Sequence, residues 1–157
     1  MPDDLYDDER IHKGFGRRCE RTFSHIAVGS LVGNLPELVL AHFLSDKRVA
    51  LIIDLGRNRY VQFLATEDQH LVVECVSSRF LAPGDELSIE SELTLVDIGF
   101  ELPGADGEPH PNWWWHTEDI TEVMTACRMA ASVLYAVFGL IADNRVTLTE
   151  RPLAVNS

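Results

Sequence analysis

Three runs of strand-forming residues, VALIIDL from Val49, RYVQFLAT from Arg59 and LVVECV from Leu71, are separated only by the turn signals GRN and EDQH. This spacing constrains the fold more than any other feature of the chain. β-Branched and aromatic side chains suit a pleated, half-buried surface, and Gly, Asn and Asp supply the turns between such runs. A parallel crossover needs about a dozen linking residues, so the three runs predict an antiparallel meander. In the second run Val61, Phe63 and Ala65 face one way and Tyr60, Gln62 and Leu64 the other. The first run is apolar throughout except Asp54, which predicts the more central strand.

Helical signals surround the meander. From Cys19 the apolar residues Phe23, Ile26, Ala27 and Leu31 recur at helical spacing, with Gly29 and Gly33 expected to weaken or end that helix. Asn34 with Glu37 resembles a capping pair and Pro36 suits a first turn, so Leu35, Leu38, Val39 and Phe43 predict a second short helix. After LAPGDE, Ser88 is the expected N-cap of a helix with the stripe Ile89, Leu93 and Val96, and Gly99 its C-terminal glycine. GFELP and NWWWH flank the polar loop GADGEPHP and predict two further strands. Thr117 or Asp119 can cap a last helix carrying Ile120, Val123, Met124, Cys127, Ala131, Leu134 and Phe138 on one face. Its other face, Ala126, Ala130, Val133 and Val137, is apolar as well, and a helix apolar on both sides must be covered on both. The sheet can cover one side, and a second subunit is expected on the other, a homodimer through these four residues. RVTLTE closes the chain as a short strand candidate. The prediction is a single α+β domain over residues 15–157, with an antiparallel five-stranded sheet and helices mainly on one face, preceded by a mobile acidic arm over 1–14.

The net charge of −12 would repel phosphate backbones and anionic membrane surfaces, which excludes nucleic acid and membrane as expected partners. Met129 to Ala142 is a charge-free stretch of fourteen residues, short of the roughly 20 a span requires. The N-terminus lacks the basic and apolar regions of a secretory signal, and Cys19, Cys75 and Cys127 sit in apolar patterns as expected buried thiols, so a cytoplasmic location is expected. Chemistry-bearing motifs are weak. His12, His25, His110 and His116 fit no common zinc spacing, GSLVG is not a nucleophile elbow, and GFGRRC has Cys19 at the third glycine of a dinucleotide loop. Neither a metal, a cofactor nor a catalytic residue is therefore expected. Glu74, inside LVVECV, needs a partner such as Arg59 or Arg79 if its face is covered, and is simply solvated if the face is open.

Five pieces then stand in order: NRYVQF from Asn58, ECVSSRFL from Glu74, LVDIGFELP from Leu95, NWWW from Asn112 and LYAVFGL from Leu134. Together they resemble the TY-Chap group, bacterial domains related to the class I type III secretion chaperones and to YbjN-like proteins, over about residues 45 to 148. The αβββαββα order of predicted elements resembles that group too. Ser77-Ser78 and Gly99-Phe100 depart from the Ser-Asn and Gly-Trp that the pattern tends to have. The resemblance implies a non-enzymatic, often dimeric protein that holds an extended segment of a protein client through apolar surface on its sheet and helices. Trp113, Trp114, Trp115, Phe100 and Tyr60 are the expected partner-binding residues. On a strand Trp113 and Trp115 point one way and Trp114 the other, so one set can fill the core while the other serves a client or dimer contact. Alternatively, helices and loops cover all three. A regulatory domain that senses a small molecule in the same apolar cleft is the competing expectation, and a deep closed pocket would favour it.

Overall fold

The computed structural model describes residues 21–45, 49–65, 71–104, 110–119 and 122–152. The expected acidic arm, His12, Cys19 and most of the loop GADGEPHP lie outside them. In chain order the elements are β1 Arg21–Ala27, α1 Val28–Ser45, β2 Val49–Gly56, β3 Arg59–Ala65, β4 Leu71–Cys75, α2 Ile89–Ile98, β5 Trp113–Thr117, α3 Val123–Ser132 and β6 Arg145–Pro152. A 3-10 turn covers Ser78–Phe80, and α3 widens at its end into a π turn, Val133–Val137.

Among the described residues the strands join one antiparallel sheet in the order β1-β6-β2-β3-β4-β5, six strands where five were expected. The meander forms as its turns require, with Leu51, Phe63, Val73 and Trp115 in one cross-strand row and β2 in the sheet interior. RVTLTE is no short appendage: as β6 it lies between β1 and β2 and pairs with both.

The helix expected from Cys19 is replaced by β1. Its register slips between Phe23 and Ile26, where two residues of β1, Ser24 and His25, oppose the one residue Thr147 of β6, and His25 sits at φ 62°. The bulge turns the two-residue alternation of a strand into the three-residue spacing of a helix, so Phe23, Ile26 and Ala27 look helical in sequence while Phe23 and Ile26 face the core as strand residues.

The two helices expected on either side of Gly33 are one. Gly and Pro inside a helix cost about 1 and about 3 kcal/mol, but Leu31, Leu35, Leu38, Val39 and Phe43 form an unbroken buried stripe in which each large apolar side chain contributes about 1.5–3 kcal/mol. Tertiary burial outweighs the local cost. The helix starts against the loop before β6: the Val28 and Gly29 N–H groups donate to the carbonyls of Asn144 and Ala142 at 2.9 and 3.0 Å. Gly29 permits this approach, since a Cβ there would stand 3.0 Å from the Ala142 Cβ.

The strand expected at GFELP is reduced to one residue. Glu101 exchanges both backbone hydrogen bonds with Trp114, after which Pro103, with no N–H to give, and Gly104 at φ 74° turn the chain away. The α2 caps are as expected: Ser88 Oγ accepts from the Ser91 N–H at 3.1 Å, and Gly99, at φ 121°, closes onto Leu95 and Val96. Thr117, expected to cap the last helix, ends β5, and its hydroxyl donates to Glu122 Oε2 at 2.6 Å just ahead of α3.

The inward-facing strand residues, the buried stripes of α1 and α3 and Leu95 of α2 form one core on one side of the sheet. Ala126, Ala130, Val133 and Val137 belong to it. The face of the last helix expected to meet a second subunit is enclosed by the chain's own core because α1, β4 and α2 pack around α3 and its π turn. In the chain by itself Ala126, Ala130 and Val133 are fully buried and Val137 nearly so. Within the core His42 and Glu150 form a buried pair: His42 Nε2 donates to the Val49 carbonyl at 2.8 Å, and its Nδ1 lies 2.6 Å from the Glu150 carboxylate. Among the described residues no helix is long and apolar enough to cross a membrane.

Candidate functional site

The face of the sheet turned away from the helices carries Ile52 and Asp54 of β2, Tyr60, Gln62 and Leu64 of β3, Glu74 of β4, Trp114 and His116 of β5, and Thr147, Thr149 and Arg151 of β6. None of these side chains belongs to the core. Alternation puts them there, and register decides which of them meet. Gln62 stands opposite Glu74, and Glu74 opposite Trp114.

A polar network runs across this row. Gln62 Nε2 donates to Glu74 Oε1 at 2.9 Å, and Asn112 Nδ2 donates to the same oxygen at 3.2 Å and to the Tyr60 hydroxyl at 2.9 Å. Asn112 is itself fixed, because its Oδ1 accepts from the Ser77 N–H at 3.1 Å while the Ser77 hydroxyl donates to the Pro111 carbonyl at 2.7 Å. Glu74 thus satisfies its carboxylate with two amides, rather than with Arg59 or Arg79. Burial raises the Tyr60 phenol above its ordinary value; the bond from Asn112 pulls the other way, and the nearby Glu74 carboxylate adds to the rise.

The tryptophans divide as strand alternation requires. Trp113 is buried in the core and Trp115 packs half-buried against it. Trp114 lies on the outer face, yet it is only 9% exposed. His110 stacks on it at 4.2 Å between centroids and His116 at 5.5 Å, both rings within 20° of parallel. Of the five expected partner-binding residues, Tyr60 and Trp114 share the outer face and are linked through Asn112 and Glu74. Trp113, Trp115 and Phe100 face the core instead. Asn112, Gln62 and His110 were absent from the expected set, because their roles depend on which strands pair and in what register.

Beside the network a trough of about 490 Å³, partly open to solvent, runs along β6, β2 and β3. Ile52, Tyr60 and Gln62 line it, Asp54 and Arg57 stand at the turn end, and Arg151 lies on the β6 side. The outer face therefore offers aromatic and aliphatic area, hydrogen-bonding amides and both signs of charge. That combination suits side-chain and main-chain recognition; the described residues contain no cluster with the spacing of a metal site.

A second surface lies on the helix side. The stripe expected on α2 faces solvent: Ile89, Leu93 and Val96 are 75%, 59% and 48% exposed, and Leu95 is the residue of α2 that enters the core. Periodicity reveals a stripe but not which side of the helix the core takes. One sequence signal accompanies it: from Phe80 to Cys127 the chain has eleven acidic residues and no Lys or Arg.

Residues 37–151 match the family model TY-Chap3, described as the T3SS (YopN, CesT) and YbjN peptide-binding chaperone 3. No curated protein and no solved structure matches the chain.

Proposed function

We propose, from the premise that the chain belongs to the TY-Chap3 family of peptide-binding chaperones, that it holds an extended segment of a protein partner across the outer face of its sheet and does so without catalysis. The observation that carries this reading is the row formed by Tyr60, Gln62, Glu74, Asn112 and Trp114 beside the trough along β2 and β6. An extended peptide presents alternate side chains and unpaired amides together. Ile52 and Leu64 offer it apolar contact, and the half-exposed Gln62 amide, Glu74 carboxylate and Tyr60 ring stand beside them, held in place by the buried Asn112. The protein's acidity favours a client with basic or neutral flanks.

A permanently unfolded probe tests this. Reduced, carboxymethylated lactalbumin carrying a fluorophore is expected to bind the full chain in an anisotropy titration, and Tyr60→Ala and Trp114→Ala are each expected to weaken it about tenfold. Equal binding by both variants, with their circular dichroism unchanged, would sink the sheet-face reading. A second reading rests on the trough volume, which falls within the roughly 300–1,000 Å³ of small-ligand sites: a regulatory domain that senses a small molecule. A small metabolite that raises the unfolding temperature and displaces the unfolded probe would move the assignment there.

A further inference from the structure

The exposed stripe of α2 lies on the helix side of the sheet, away from the row around Glu74, and calls for an occupant of its own. At about 100° per residue, Ile89, Leu93 and Val96 fall within a narrow arc, with Glu90 and Asp97 along one border and Glu92 along the other. All three apolar side chains are large and mostly or half in water, with exposed Leu102 in the loop that follows the helix. Apolar surface of this kind, rimmed by charge, marks an interaction site.

Three observations decide what fits it. The backbone of α2 is internally bonded and capped at both ends, so a partner cannot add a strand to it and must engage through side chains. The i, i+4, i+7 spacing of the stripe matches the ridge of a second amphipathic helix. The surrounding segment from Phe80 to Cys127 is acidic without a single Lys or Arg, so the flanks of that helix must be basic. A second copy of this chain would bring acidic rim against acidic rim. We propose that the α2 stripe docks an amphipathic helix of a partner protein whose apolar ridge is bordered by Lys and Arg. This surface is separate from the sheet face and does not depend on what the sheet face binds.

The test uses the full chain and two labelled helix-forming peptides of about 18 residues, long enough for helix to be populated. One carries Leu at i, i+4 and i+7 flanked by Lys, and its twin has every Lys replaced by Glu. Fluorescence anisotropy is expected to show the Lys peptide binding at least about tenfold more tightly than the Glu twin, with the preference shrinking as salt is raised. Ile89→Ser and Leu93→Ser should each weaken the Lys peptide about tenfold, and Glu90→Lys with Asp97→Lys should remove its advantage over the twin. Tyr60→Ala should leave its binding unchanged, which separates failure of this surface from failure of the sheet-face site. Equal binding of the two peptides, or binding indifferent to Ile89→Ser and Leu93→Ser, would overturn the proposal. So would a wild-type dimer in sedimentation that Leu93→Asp splits into folded monomers, because a second copy would then be the occupant.

Discussion

The two faces of the sheet are built from alternate residues of the same strands, yet they answer opposite demands. Inward, Leu51, Ile53, Val61, Phe63, Val73, Cys75, Trp113 and Leu148 are all buried, and the buried Glu150 is paired with His42. Outward, Ile52, Tyr60, Gln62, Leu64 and Glu74 are all half-exposed, and the one large aromatic that is nearly covered, Trp114, is covered by two imidazoles rather than by a helix. One face spends its side chains on cohesion, and the other keeps them available. Substitutions one residue apart should therefore differ sharply in what they disturb.

The largest effect is expected at His42. Removing one partner of a buried pair typically costs about 3–5 kcal/mol, and His42→Ala would also lose the bond to the Val49 carbonyl. Its denaturation midpoint in urea should fall accordingly, whereas Gln62→Ala, which frees a half-exposed Glu74 that retains Asn112, should cost under about 1 kcal/mol. Equal losses would mean that the outer network is as structural as the inner pair. Next comes the adjacent couple Leu51 and Ile52. Leu51→Ala empties a fully enclosed site and should cost about 3 kcal/mol, while Ile52→Ala on the trough should cost about 1 or less. A similar cost for both would show the trough to be covered in solution.

The thiols sharpen the same contrast through pH. Burial pushes Cys75 and Cys127 up to about 12, above the roughly 8.5 of a thiol in an unfolded chain. Between those values the folded chain holds protons that the unfolded chain has released, so stability should fall as pH rises from about 9 toward 12. Replacing both by Ala should flatten that slope relative to wild type, as read from urea midpoints across the window. At pH 8 neither thiol should react with a thiol reagent until the chain unfolds.

Much of this organisation was legible in the sequence, and where it was not, a physical reason can be named. The β2–β4 meander and the α2 caps depend on residues within a few positions of one another, and there the local signals agreed with the fold. Strand β1 was unreadable because its bulge imitates helical periodicity. The unity of α1 was unreadable because its continuation across Gly33 and Pro36 is decided by burial against strands far along the chain. The His42 and Glu150 partnership spans 108 positions, and no local pattern announces it. Alternation correctly separated Trp114 from Trp113 and Trp115, but its union with Tyr60 through Asn112 needed the register of β3, β4 and β5. An apolar helix face implies cover, yet sequence could not say that the chain itself covers Ala126, Ala130 and Val133 while leaving Ile89 and Leu93 bare.

That last pair of surfaces gives the smallest expected effect. Leu93 is 59% exposed on α2 and reaches outward from a helix held to the core through Leu95 and Ile98. Leu93→Ser should remove little folded-state burial, and surface substitutions of this kind stay within about ±0.5 kcal/mol; the lower helix propensity of Ser adds only about half a kcal/mol. Val133→Ser, on the helix that packs beside α2, should by contrast cost several kcal/mol because it puts a hydroxyl into a fully buried site. Urea midpoints of the two variants test this directly. A Leu93→Ser loss as large as that of Val133→Ser would mean that the α2 stripe is covered in the free protein, and the idea that it is kept open for a partner would fail with it.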